Sequence, residues 1–195
     1  MGYKEAPVEE VRVQHQATVH GLFAAFFRRH QACVARMLGG TVDLVLPVPS
    51  SSRPGQAPLD RVPDLGRRLS DWSAGTKSAL WCPTLLERTG GPVGHMQANA
   101  HAFAVPAWAG PVVARARVLL IDDTYVSGAR SQSAAAALRL AGATRVVIVP
   151  LGRVIRPDTL PEHAAFLERS RRSRAAPYRC ARCVVTQREA AGWME

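Results

Sequence analysis

Two neighbouring carboxylates, Asp122 and Asp123, close the apolar run Val118 to Ile121 and open a loop of small and hydroxyl-bearing residues, Thr124 to Ser131. Adjacent acids are suited to accepting hydrogen bonds from neighbouring hydroxyls, as on a ribose. Loop and helix-start N–H groups, here from Val126, Ser127, Gly128, Ala129, Arg130 and Ser131, suit a phosphate. Together these residue types point to a sugar phosphate. A second loop, Pro47-Val-Pro-Ser-Ser-Ser-Arg53, follows another apolar run and offers the hydroxyls of Ser50, Ser51 and Ser52 and the guanidinium of Arg53 to a second anion. The pair Cys180 and Cys183, spaced C-x-x-C, reads either as part of a zinc site or as two free thiols. His163 is the nearest upstream imidazole, and Cys33, Cys82 or another histidine would complete the tetrahedron. Neither G-x-x-x-x-G-K-[ST] nor G-x-G-x-x-G occurs.

The elements that must position these groups follow from periodicity. Val118 to Ile121, the loop, and the helix-forming stretch from Ala134 to Leu140, stopped by Gly142, read as strand, loop and helix. With the strand from Val146 they form a βαβ unit of a parallel sheet. Ligands of such sheets sit at the carboxyl ends of the strands, where both loops emerge. Thr41 to Val48 reads as another strand, and Ala79 to Cys82 as a short one. From Val11 to Leu38 apolar residues recur at three- and four-residue steps, which predicts a helix packed on the sheet with its histidines at the surface. Leu59 to Trp72 has helical spacing as well, and Pro161 to Arg172 is a helix with proline in its first turn. The fold class expected is α/β: an open, mainly parallel, twisted sheet flanked by helices, with a C-terminal helical extension that carries the cysteines. The domain spans residues 1–156 and the basic extension 157–195.

The segment Ile121-Asp-Asp-Thr-Tyr-Val-Ser-Gly-Ala-Arg130 resembles the phosphoribosyl pyrophosphate (PRPP) motif of type I phosphoribosyltransferases, matching at both acids, Ser127 and Gly128. It departs at Val126 and Arg130, where that family usually has hydroxyl residues. Pro47-Val-Pro-Ser50 is similar to the pyrophosphate loop of the ComF/GntX-like branch, which is akin to the amidophosphoribosyltransferases. Asn99, Ala102 and Phe103 answer to a mobile segment that covers PRPP in that branch. The resemblance spans about Leu44 to Gly152. It implies transfer of phosphoribose from Mg²⁺-bound PRPP to a nitrogen nucleophile with loss of pyrophosphate. Asp122, Asp123 and Arg53 would act in catalysis, and Ser50, Ser51, Ser52 and Val126 to Ser131 in holding the phosphates. Two further readings stand beside it: a PRPP- or nucleotide-binding regulator without turnover, and a nucleic-acid-associated protein.

Composition bounds these readings. The chain of 195 residues suffices for one domain with a full core, and 47% hydrophobic residues is a globular value. Lysine and arginine number 25 against 15 acids, a net charge of +10 that would attract a polyanion. The densest basic stretch, Arg169 to Arg182, reads as a solvated face or as a nucleic-acid contact. No apolar run reaches membrane-spanning length, and no basic-then-apolar leader opens the chain, so a cytoplasmic protein without membrane contact is expected. A homodimer is compatible with this reading.

Overall fold

The structure, a computed structural model, describes residues 9–49, 80–94, 96–158 and 161–172. Four strands make one parallel sheet in the order β2-β1-β5-β6: β1 (Leu44–Pro47), β2 (Leu80–Trp81), β5 (Arg117–Asp122) and β6 (Arg145–Pro150). Between β2 and β5 lie two short antiparallel strands, β3 (Glu87–Arg88) and β4 (Phe103–Ala104), and a single-turn helix α2 (Gly110–Val113). Three longer helices complete the fold: α1 (Glu9–Leu38), α3 (Ala129–Leu140) and α4 (Pro161–Arg172). No described helix is long and apolar enough to cross a membrane.

The continuous apolar run of β5 is explained by its place. It lies between β1 and β6, and Val118, Leu119, Leu120 and Ile121 are fully buried. A strand covered on both faces has no reason to alternate. On one face Val45, Leu119, Ile121 and Val147 pack against Phe23, Phe27, Val34 and Leu38 of α1. On the other, Leu44, Leu46, Val118 and Leu120 meet Ala134, Ala137 and Leu138 of α3 together with Leu85, Phe103 and Val113. The result is three layers with the sheet in the middle.

The helices differ from expectation in instructive ways. α3 begins at Ala129, so Ala129, Arg130 and Ser131 belong to its first turn and not to the loop. On α1 the buried stripe is narrower than the apolar pattern: Leu22 is 67% exposed while Phe23 and Phe27 are buried. His30, expected at the surface, is buried against the Phe26 ring, with centroids 4.8 Å apart, and its Nδ1 lies 3.9 Å from Cys33 Sγ. An imidazole tip can be held inside when a helical neighbour offers it a polar contact. α1 ends where Gly39 takes φ 71 and Gly40 N–H donates to Ala35 O at 2.9 Å, a glycine-closed helix terminus. The expected helix from Leu59 to Trp72 lies outside the described residues.

Candidate functional site

Asp122 ties together the loop, the start of α3 and the end of β6 at the carboxyl rim of the sheet. Its side chain is only 4% exposed. Oδ2 accepts from Ser131 Oγ at 2.7 Å, Oδ1 from Thr124 N–H at 3.4 Å, and its carbonyl from Leu151 N–H at 2.8 Å. The first contact reaches the opening turn of α3, the second curls the loop back on itself as an Asx turn, and the third joins the end of β6. Asp122 is therefore the anchor of the arch, and Asp123, half-buried at the loop's first position, is its outer carboxylate.

The loop is fastened on its other flank by backbone. Tyr125 pairs with Arg153 as a parallel bridge: Tyr125 N–H donates to Gly152 O at 2.8 Å and Val154 N–H to Tyr125 O at 2.9 Å. At the end of the loop Gly128 takes φ 82 as the N-cap of α3. A side chain there would also meet the Tyr125 ring and its hydroxyl, which would have to move aside. The N-cap of α3 is a glycine with no side chain to offer, and Ser127 Oγ accepts from Ala129 N–H at 3.4 Å. The dipole at a helix start favours an anion. Val126 is 45% exposed at the loop's tip. Arg130 is exposed in the first turn of α3.

Beside the arch lies the segment expected to act as a cover. Asn99 N–H donates to Ser133 Oγ of α3 at 2.8 Å, and the same hydroxyl donates to Ala129 O at 2.6 Å. Asn99 also bonds to Pro92 O (3.0 Å) and accepts from His101 N–H (3.0 Å), while Thr89 Oγ1 donates to His101 O at 2.6 Å. Its inner half, Asn99 to Phe103, is thereby seated on α3 and paired through β4 to β3. Met96 and Gln97 on its outer half are exposed.

Ser50, Ser51, Ser52 and Arg53 lie outside the described residues. Their point of departure is fixed: Pro47 is in register with Ile121, and Val48 N–H donates to Ile121 O at 2.8 Å, so the chain leaves β1 at the rim that holds Asp122. Cys180 and Cys183 also lie outside the described residues. His163 is buried on α4 and its Nδ1 accepts from Arg156 N–H at 3.0 Å, which leaves Nε2 as the nitrogen a metal could use. Cys33 and Cys82 belong to opposite faces of the sheet, and burial pushes the Cys82 thiol upward from its ordinary range. Among the described residues no three His, Cys, Asp or Glu side chains come together as a metal cluster.

One part of the rim was not assembled by reading the sequence. The Arg153 guanidinium stands 6.0 Å from the Tyr125 ring and 5.6 Å from the Phe166 ring, linking the loop to α4. These three residues are 28 and 13 positions apart (153 − 125 and 166 − 153), and no local pattern connects them. No protein-family model matches the chain, and no curated protein matches it.

Proposed function

We propose that the carboxyl rim binds a phosphorylated pentose and that the protein is a phosphoribosyltransferase of the type I kind, moving phosphoribose from PRPP to a nitrogen nucleophile. The carbon–oxygen bond to pyrophosphate breaks, a carbon–nitrogen bond forms at the same sugar carbon, and the nucleophile's proton leaves with it. The observation that supports this most is the arch itself. A central strand whose Val118 to Ile121 are fully buried ends in two acids and passes through a left-handed glycine into a helix start.

In this reading Asp123 meets the ribose hydroxyls and Asp122 holds the arch in shape. The N–H groups from Val126 to Ser131 receive the 5′-phosphate. Ser50 to Arg53 take the departing pyrophosphate. Mg²⁺ is bound characteristically by one or two carboxylates together with substrate phosphates, a donor set that Asp123 and PRPP would provide. When bound, the ion supplies charge neutralisation for the leaving group. The cationic sugar that develops is stabilised by the adjacent carboxylate.

A second reading draws on Val126, which presents an exposed apolar side chain where the resembled family has a hydroxyl. It keeps the binding site and gives up turnover. Calorimetry with PRPP and Mg²⁺, comparing wild type with Asp123→Asn, tests the binding common to both: saturable heat in the wild type, lost or weakened at least tenfold in the variant. A wild type that binds no PRPP overturns both readings. Pyrophosphate release during a screen of bases and amines separates them.

A further inference from the structure

At the opposite, amino rim of the sheet a different chemistry collects. Arg117 and Arg145 open β5 and β6 and are direct cross-strand partners. Residues paired in this way project from the same face. Both side chains flank the Gly39–Gly40 turn that ends α1: Arg145 passes 3.6 Å from where a Gly39 Cβ would stand, and Arg117 would collide with one at Gly40. Arg36 is exposed in the last turn of α1, and its carbonyl accepts from Gly39 N–H at 3.1 Å. Arg139, exposed at the end of α3, donates to Ala143 O and Thr144 O, just before β6. Thr144 Oγ1 in turn donates to Arg115 O at 2.6 Å, just before β5. Five arginines thus line one rim, while the segments that carry them (residues 36–43, 114–118 and 139–146) hold one acid, Asp43.

Two features of this rim work against stability. Like charges in cross-strand register repel, and Asp43 offsets only one of the two, binding Arg117 at 3.0 Å through both Nε and Nη2. Arg115 is exposed with φ 65, a left-handed conformation that costs a non-glycine residue free energy. It is held there by Arg115 N–H to Gly142 O at 2.8 Å and by Thr144. A glycine at Arg115 would suit the backbone better, so the fold does not explain the guanidinium.

We infer that this amino rim is a binding surface for the phosphate backbone of double-stranded nucleic acid. Guanidinium forks match phosphate oxygens in pairs, and the Arg117–Arg145 strand pair, about 4.8 Å apart, with Arg36, Arg115 and Arg139 in the adjoining turns and helix ends, presents several cations to a densely charged polyanion. The rim segments themselves contain no Phe, Tyr or Trp on which an unpaired base would stack. The surface therefore reads backbone and not sequence. Its residues are other than those of the Arg169–Arg182 stretch, and it is independent of the reading of the carboxyl rim.

The test is fluorescence anisotropy of a short labelled DNA duplex across a salt series, with the full chain, an Arg115→Ala/Arg145→Ala variant and a charge-matched Arg171→Ala/Arg172→Ala variant. The inference expects the slope of log affinity against log salt to fall by about 1.8 in the rim variant, at about 0.9 for each phosphate that is no longer neutralised. The tail variant keeps the wild-type slope. Arg115→Gly separates charge from fold: it weakens duplex binding while leaving the melting temperature unchanged or higher. Loss of binding only in the tail variant, or equal binding by wild type and rim variant, overturns the inference. So does stronger binding to single strands, or binding to anionic phospholipid vesicles but not to duplex. The vesicle arm is needed because Leu140 stands 73% exposed beside Arg139.

Discussion

The hydroxyl of Ser131 donates to the carboxylate of Asp122 at 2.7 Å, joining the last residue of the central strand to the first turn of the helix that follows. Both side chains are buried. Removing the donor leaves a buried acceptor short of a partner, a loss of about 1–3 kcal/mol. Ser131→Ala is therefore expected to lower stability in urea by about that amount and to weaken PRPP binding. Ser131→Thr, which keeps the hydroxyl, is the control. An alanine variant as stable as wild type would show that the contact does not hold the arch.

Gly128 offers a second measurement. Gly128→Ala forces a side chain into a left-handed position, at a cost of about 1–2 kcal/mol, and also drives it into the Tyr125 ring. The two penalties separate in a Tyr125→Ala background, where only the backbone cost remains. Chemical denaturation of the two single variants and the double variant should give a coupling between them. Strict additivity would mean that the ring moves aside freely.

Asp43 sets a pH dependence. The side-chain hydrogen bonds from Arg117, helped by a bond from its backbone N–H, hold the Asp43 carboxyl below the usual carboxylate range, against a smaller opposing effect of burial. A carboxyl depressed in the folded state stabilises the fold above its unfolded value of about 3.9, and that contribution disappears as pH falls through the folded value. Because the pair is partly exposed, Asp43→Asn should cost only about 1 kcal/mol at neutral pH. The gap between variant and wild type should close as the solution is acidified below about pH 4. Thermal melts from neutral to acid pH check this, and a constant gap contradicts it.

Ser133 is the seat of the Asn99 segment. Replacing it with alanine leaves the half-buried Asn99 N–H without its acceptor, a loss of about 1 kcal/mol. Because the rest of the segment is held by Thr89 and by β3, the effect should be local. Amide exchange should quicken at Asn99 and its neighbours and remain unchanged in β5. Protection lost throughout the sheet would mean that the segment is part of the core and not a cover resting on it.

The parts of this architecture that were legible in the sequence are those written as runs. Val118 to Ile121, and Leu44 to Leu46 within the expected strand Thr41 to Val48, announced buried parallel strands because a doubly covered strand is apolar throughout. The Asp-Asp pair and the small-residue loop stood at the end of one of them. The start of α3 was hidden because Ser131 and Ser133 are modest helix formers whose hydroxyls are bonded to Asp122 and to Ala129 O, partners invisible to local propensity. His30 looked like a surface residue because a polar type was expected to face water, whereas it lies on the face of α1 that also carries Phe26 and Cys33. The paired strands β3 and β4 are two residues each, too short to carry any period. The Arg153–Tyr125–Phe166 stack is a product of topology alone.

The bridge between Tyr125 and Arg153 constrains how a guest is received. With Asp122 bonded to Ser131 at one foot and Tyr125 stitched to Gly152 and Val154 at the other, only the short tip from Val126 to Gly128 remains to adjust. In the proposed reading the loop is held in place before a ligand arrives, so little freedom would be surrendered on binding, and rejection of ill-fitting molecules would fall to its fixed outline. Discrimination would then show itself mainly in how long a molecule stays, and hardly in how fast it arrives.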